Sequence, residues 1–312
     1  MTTKKKYTLI KSDTVTTWGG RTLYRIKAKR AIDRIGVAAG DLGGYVESEK
    51  NLSHDGSAWV YGEAQVYESA WVYGEAQVYE SAWVYGEAQV YGSAWVYGEA
   101  RVYGSARVSG SARVYGSARV SGSARVSGEA RVYGSAWVYG EAQVYGSAWV
   151  YGEARVYGSA WVYGEARVYG SARVSGSARV SGEARVYGSA RVYGSAWVYG
   201  EARVYESAWV YGEAQVYGSA WVYGEARVYG ANITATRSDN YTFTVAPTPE
   251  GPRIMAGCRY FTFEEAREHW TKTRGGTPLG DESLALVDHL ERMATIRGFI
   301  EPVSAAMREE VK

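Results

Sequence analysis

Valine occurs at every sixth position from Val60 to Val228, 29 times, without an insertion or deletion. Alanine stands two places before each of these valines. Trp, Arg or Gln lies between the two, and Tyr or Ser follows the valine. In Ser57-Ala58-Trp59-Val60-Tyr61-Gly62 the small and apolar residues alternate with large ones, which is the period of a strand. Gly62 and Glu63 then read as a turn. An exact short period of this kind predicts a solenoid, in which each repeat buries its apolar side against its neighbours. The interior is expected to be valine and alanine alone. One buried valine contributes about 1.5–3 kcal/mol, most of which is offset by ordering the backbone. No proline occurs before Pro247, so nothing in the array interrupts backbone pairing.

The flanks carry other patterns. Residues 1–56 read as short strands, Tyr7–Ile10 and Thr22–Ile26, separated by Trp18-Gly19-Gly20. They lead into an irregular first coil through Leu42, which shares the six-residue register of Val60, and look like an N-terminal cap. After Ala231, Tyr241–Val245 and Arg253–Ala256 read as paired strands across a Pro-rich turn. Thr262 with Glu265 forms a capping box for a helix whose apolar face is Phe263, Ala266 and Trp270. Asp281 is the expected cap of a second helix, with Leu284, Val287, Leu290 and Met293 apolar, stopping at Gly298. The loop Arg274–Gly280 lacks the Lys-Ser/Thr of a phosphate loop and reads as a connector. Three regions follow: a cap and lead-in coil over 1–56, the array over 57–230, and a small α+β domain over 231–312.

The run Val-Tyr/Ser-Gly-Ser/Glu-Ala-Arg, with Gly40-Asp41-Leu42-Gly43-Gly44-Tyr45-Val46 before the array and Asn51-Leu52-Ser53 leading into it, resembles the hexapeptide repeat of left-handed parallel β-helices. It is most similar to the acyltransferase-like subset in enterobacterial and prophage proteins. The resemblance covers roughly residues 20–230. It implies three hexads per 18-residue coil, a triangular section and about 10 coils. The expected fold class is therefore an all-β solenoid with a small N-terminal β cap and a C-terminal α+β domain.

On that coil, residues 18 apart stack. The position before valine is Trp ten times, Arg fourteen times and Gln five times. Trp59 is expected beneath Gln77 and then Trp95, Trp149 beneath Arg167, and tyrosine on tyrosine in continuous ladders. Such ladders stabilise a sheet surface through neighbour contacts, and an exposed aromatic face also suits binding or self-assembly. Two stretches break the pattern. Arg101, Arg107, Arg113, Arg119, Arg125 and Arg131 form one basic belt, and Arg167, Arg173, Arg179, Arg185 and Arg191 form another. All five serine-for-tyrosine exchanges (Ser109, Ser121, Ser127, Ser175, Ser181) fall within them. These arginines are the candidate binding residues. An anionic partner would relieve their stacking. Otherwise Glu99, Glu129, Glu165 and Glu183 neutralise them as a solvated face.

The chemistry of the remaining residues narrows the function classes. Net charge is +2, and the array carries 14 Arg against 15 Glu, so a dedicated nucleic-acid groove is not favoured. Cys258 is the single cysteine, which excludes an intramolecular disulfide and fits a cytoplasmic location. Neither a signal peptide nor a membrane helix is visible. The resemblance implies acyltransferases with a histidine base beside a coil-interrupting loop. This chain departs from that pattern, because His54, His269 and His289 all lie outside the array and no loop interrupts it. His54 beside Asp55 is the one base candidate, and a polar turn is its simpler role. No catalytic set, metal-ligand spacing or cofactor motif is present. The expected function is a non-enzymatic structural or interaction rod for a protein partner or a second copy. An acyltransferase-like enzyme, or a binder of an anionic or carbohydrate ligand, is the alternative.

Overall fold

The computed structural model describes residues 5–228, 233–248, 250–257 and 259–300. Cys258 lies outside them. The chain divides into two compact units, residues 1–177 and 178–312, and the division falls in the corner between two repeat strands.

The first unit opens with three strands, β1 (Tyr7–Thr16), β2 (Thr22–Ala28) and β3 (Leu42–Val46). Twenty two-residue strands follow, β4 to β23, from Trp59–Val60 to Arg173–Val174. Within the unit, strands three apart pair in parallel. Trp59 faces Gln77 and Val60 faces Val78, so one turn takes 18 residues. The first face stacks β5, β8, β11, β14, β17, β20 and β23. The second stacks β6, β9, β12, β15, β18 and β21. The third stacks β4, β7, β10, β13, β16, β19 and β22. Backbone bonds such as Trp59 N–H to Ala76 O (3.0 Å) and Tyr61 N–H to Val78 O (2.8 Å) join the turns. The valines and alanines point inward and are sealed from solvent, as the alternation requires.

The corners need glycine because the chain turns there in the left-handed region. Gly104 has φ +66°, and a Cβ on it would lie 3.1 Å from the backbone nitrogen of Gly122 in the next turn. Glu68 and Glu206 take this strained place with φ +62° and +58°. Each offsets the strain with its carboxylate, which accepts the corner N–H one turn on, Gly86 at 2.8 Å and Gly224 at 2.9 Å.

The lead-in is a cap built as sheet. β1 and β2 pair antiparallel, as do β2 and β3, and β3 then pairs in parallel with β5. One expectation is corrected here. Val46, not Leu42, enters the valine column, facing Val66, while Leu42 is 54% exposed. Leu52 likewise bridges Val72, so the first turn takes twenty residues and shifts the six-residue register. Lys6 completes the cap. Its ammonium is buried and donates to the carbonyl of Ala58 at 2.7 Å, supplying a proton where no earlier strand exists to do so. Burial, reinforced by Arg30, lowers its pKa to about 8.

The second unit carries nine more repeat strands, β24 to β32, from Arg179–Val180 to Arg227–Val228, paired three apart in the same way. At three strands per turn the two units hold about ten turns of parallel β-solenoid. Strands β33 (Ile233–Thr236), β34 (Thr242–Ala246), β35 (Arg253–Ala256) and β36 (Arg259–Phe261) form an antiparallel sheet. Helices α1 (Phe263–Arg274) and α2 (Pro278–Ile296) bury Phe263, Ala266, Trp270, Val287 and Leu290 with Phe243 and Ile254 of that sheet. The Thr262–Glu265 capping box forms as expected. The second cap differs: Thr277, not Asp281, accepts the N–H of Gly280, because Pro278 at the first helical position starts the helix earlier.

Candidate binding faces

The outward side chains of the first unit obey the 18-residue register. Trp59, Gln77 and Trp95 stack in order, as do Trp149 and Arg167. Tyrosines stack nearly parallel, with centroids 4.8 Å apart for Tyr97–Tyr115 and Tyr115–Tyr133. Partial burial within the ladder raises the Tyr79 pKa to about 12, with the neighbouring Tyr97 adding to the shift. The ladder on the third face runs unbroken from Tyr79 to Tyr169. The other two are broken, contrary to the expected continuity. Ser121 interrupts the first face after Tyr85–Tyr103, and Ser109 and Ser127 occupy adjacent rungs of the second.

The first arginine belt falls two rungs deep on every face. Arg101 stacks on Arg119, Arg107 on Arg125 and Arg113 on Arg131. Tryptophan settles most of the resulting repulsion. Arg101 turns to Trp83 (4.9 Å to the ring centre) and Arg119 to Trp137 (4.8 Å). Arg113 turns to Trp95 (5.0 Å) and Arg131 to Trp149 (4.9 Å). Each pair therefore parts, with one guanidinium over a ring at either end, an arrangement worth about 0.5–1 kcal/mol per contact at an exposed site. Arg107 and Arg125 have Gln89 and Gln143 as their outer neighbours in the column, where the other two faces carry tryptophan. The acidic corners do not pair with this belt. Glu99 and Glu129 accept instead from Ser117 and Ser147 in the next turn.

The second belt is divided between the units. In the first, Arg167 lies 5.2 Å from the ring of Trp149, while Arg173 stacks on Arg155. In the second, Arg179 lies over Trp197 and Arg191 over Trp209, both at 4.8 Å, and Arg185 stacks on Arg203.

The base candidate is committed elsewhere. His54 Nδ1 accepts the backbone N–H of Lys6 at 3.2 Å, and its ring packs 4.4 Å from Tyr7. Burial lowers its pKa against the pull of Glu49. Tyr7 in turn donates to Leu52 O at 2.8 Å and meets Trp59 edge-on. His269 packs against Phe261 and Trp270, and His289 is exposed on α2. Among the described residues no group of three His, Cys, Asp or Glu side chains is placed to hold a metal, and no helix is long and apolar enough to cross a membrane.

Compared with known families, the chain matches the YdcK β-solenoid repeat over residues 100–116, 106–122, 112–128, 124–140, 148–164, 166–182 and 184–200. The matched repeats include both arginine belts. No curated protein matches the chain.

Proposed function

We propose that this β-solenoid repeat protein is a non-enzymatic structural scaffold, whose outward aromatic columns engage another protein surface, in the first instance a second copy of the chain. The observation that carries this reading is the continuity of the array. From Trp59 to Val228 every connection between strands is a four-residue corner, so no loop leaves the solenoid to wall a catalytic cleft. The position before valine instead offers large rings to solvent, with Trp71 42% and Trp197 39% exposed. Rings with a polar edge lose little entropy on contact and suit interfaces. The structural role of His54 as a packing residue weighs against the acyltransferase alternative.

Light scattering on the full chain across a range of concentrations tests the proposal. The mass is expected to rise above that of one chain, and Trp71→Ser is expected to lower it again. A single-chain mass at every concentration, or acyl-coenzyme A turnover that disappears in His54→Ala, sinks the scaffold reading.

A further inference from the structure

The second face of the first unit carries a notch that the other two faces lack. The tyrosine stack Tyr73–Tyr91 stops at 4.9 Å spacing, and the stack Tyr145–Tyr163 resumes beyond it. Between them two rungs carry Ser109 and Ser127. Two missing rings leave a cavity of about 280 Å³, lined by Tyr91, Arg107, Ser109, Arg125, Ser127 and Tyr145, with Gln143 at one edge. Both arginines are exposed. Among the described residues neither makes an ion pair, a side-chain hydrogen bond or a ring contact.

Two independent departures from the repeat coincide here. Serine replaces tyrosine on the same two rungs where glutamine replaces tryptophan as the neighbour of the arginines. The first and third faces hold their guanidiniums apart over rings. On the second face two guanidiniums sit one rung apart, about 4.8 Å at the backbone, with hydroxyls beside them. Guanidinium is a donor only, and a pair of them at this spacing matches the oxygens of one tetrahedral anion. Tyr91 and Tyr145 close the notch at its two ends, three rungs apart, and either ring offers a flat group a surface on which to stack.

We propose that this notch is a binding site for a phosphate monoester with an aromatic or heteroaromatic group. The phosphate bridges Arg107 and Arg125, Ser109 and Ser127 donate to its remaining oxygens, and the flat group stacks on Tyr91 or Tyr145. The site stands on one face of one chain and does not depend on self-association.

Calorimetric titration of the full chain with phenyl phosphate tests it, with inorganic phosphate and phenol as parallel probes. Phenyl phosphate is expected to bind, to weaken with added salt, and to lose about tenfold or more in affinity in Arg107→Gln/Arg125→Gln. Arg101→Gln/Arg119→Gln, the same change on the first face, is expected to leave binding unaltered. Ser109→Tyr/Ser127→Tyr refills the ladder with the residue that most repeats carry, so it keeps the fold and is expected to abolish binding. Failure of phenyl phosphate to bind, or binding that survives refilling of the ladder, overturns the site. Equal affinity for inorganic phosphate overturns the role given to the rings.

Discussion

Trp59 and Trp71 occupy the same place in the repeat, yet Trp59 is sealed from solvent while Trp71 is 42% exposed. The difference is the lead-in. Tyr7, itself packed on His54, lies against Trp59 and helps convert a surface residue into core. Further along, the same slot meets its neighbours in the column and nearby ladder tyrosines, as Trp71 meets Gln89 and Tyr73. In the array a residue's surroundings are copied from turn to turn, whereas in the cap each contact is made once. Repetition makes the interior uniform, and aperiodic sequence is reserved for ending it.

The largest effect is expected from breaking the copied interior. Val120→Asp buries a carboxylate among valines with no partner, and about 4–5 kcal/mol of stability should be lost, read as the shift in a urea transition. Val120→Ala leaves only a small void and should cost about 2 kcal/mol by the same measurement. A cost near zero for either would mean that the turns unravel singly rather than as one core.

The cap predicts a pH dependence that the array does not share. Lys6 is held at a pKa of about 8, below its ordinary 10.5. Under pH 8 it is charged in both states and its burial cost is present in full. Between pH 8 and 10 the folded state sheds the proton first, so stability should rise. Above pH 10 the trend should reverse, because Tyr7 and the ladder tyrosines such as Tyr67 resist ionisation when folded but ionise when unfolded. Lys6→Met should flatten the rise between pH 8 and 10 and leave the later fall in place. Thermal melts across that range provide the check. At the small end, Trp83→Ala removes the ring beneath Arg101 and should cost no more than about 1 kcal/mol, measured against Gln89→Ala, which removes no cation–π contact.

Much of this was legible in the sequence because the register is exact. Once Val60 faces Val78, every neighbour in the array follows, and Arg101 on Arg119 or Trp149 on Arg167 requires no further information. The capping box at Thr262 was legible for a similar reason, since its partners lie three residues apart. Leu42 misled because the first turn takes two extra residues, an interval set by pairing with β2 rather than by any local signal. Asp281 misled because Pro278 is an equally good helix start. The notch had a visible signal in the 18-residue separation of Ser109 and Ser127, with Gln89 and Gln143 at the same interval from Arg107 and Arg125. Its meaning emerged only when the other two faces showed what a tryptophan neighbour does to an arginine pair.

The uniform corner gives the gene a freedom that the surface does not share. Each hexad closes with the same four-residue corner, so one can be dropped or added without leaving a valine exposed. A whole turn lost in this way shortens the solenoid and keeps every column aligned. A single hexad lost between Ser109 and Ser127 also folds, but it leaves the serines two hexads apart, on different faces, and closes the notch. Length is thus free to drift by hexads, whereas any inheritance of the notch is counted in whole turns.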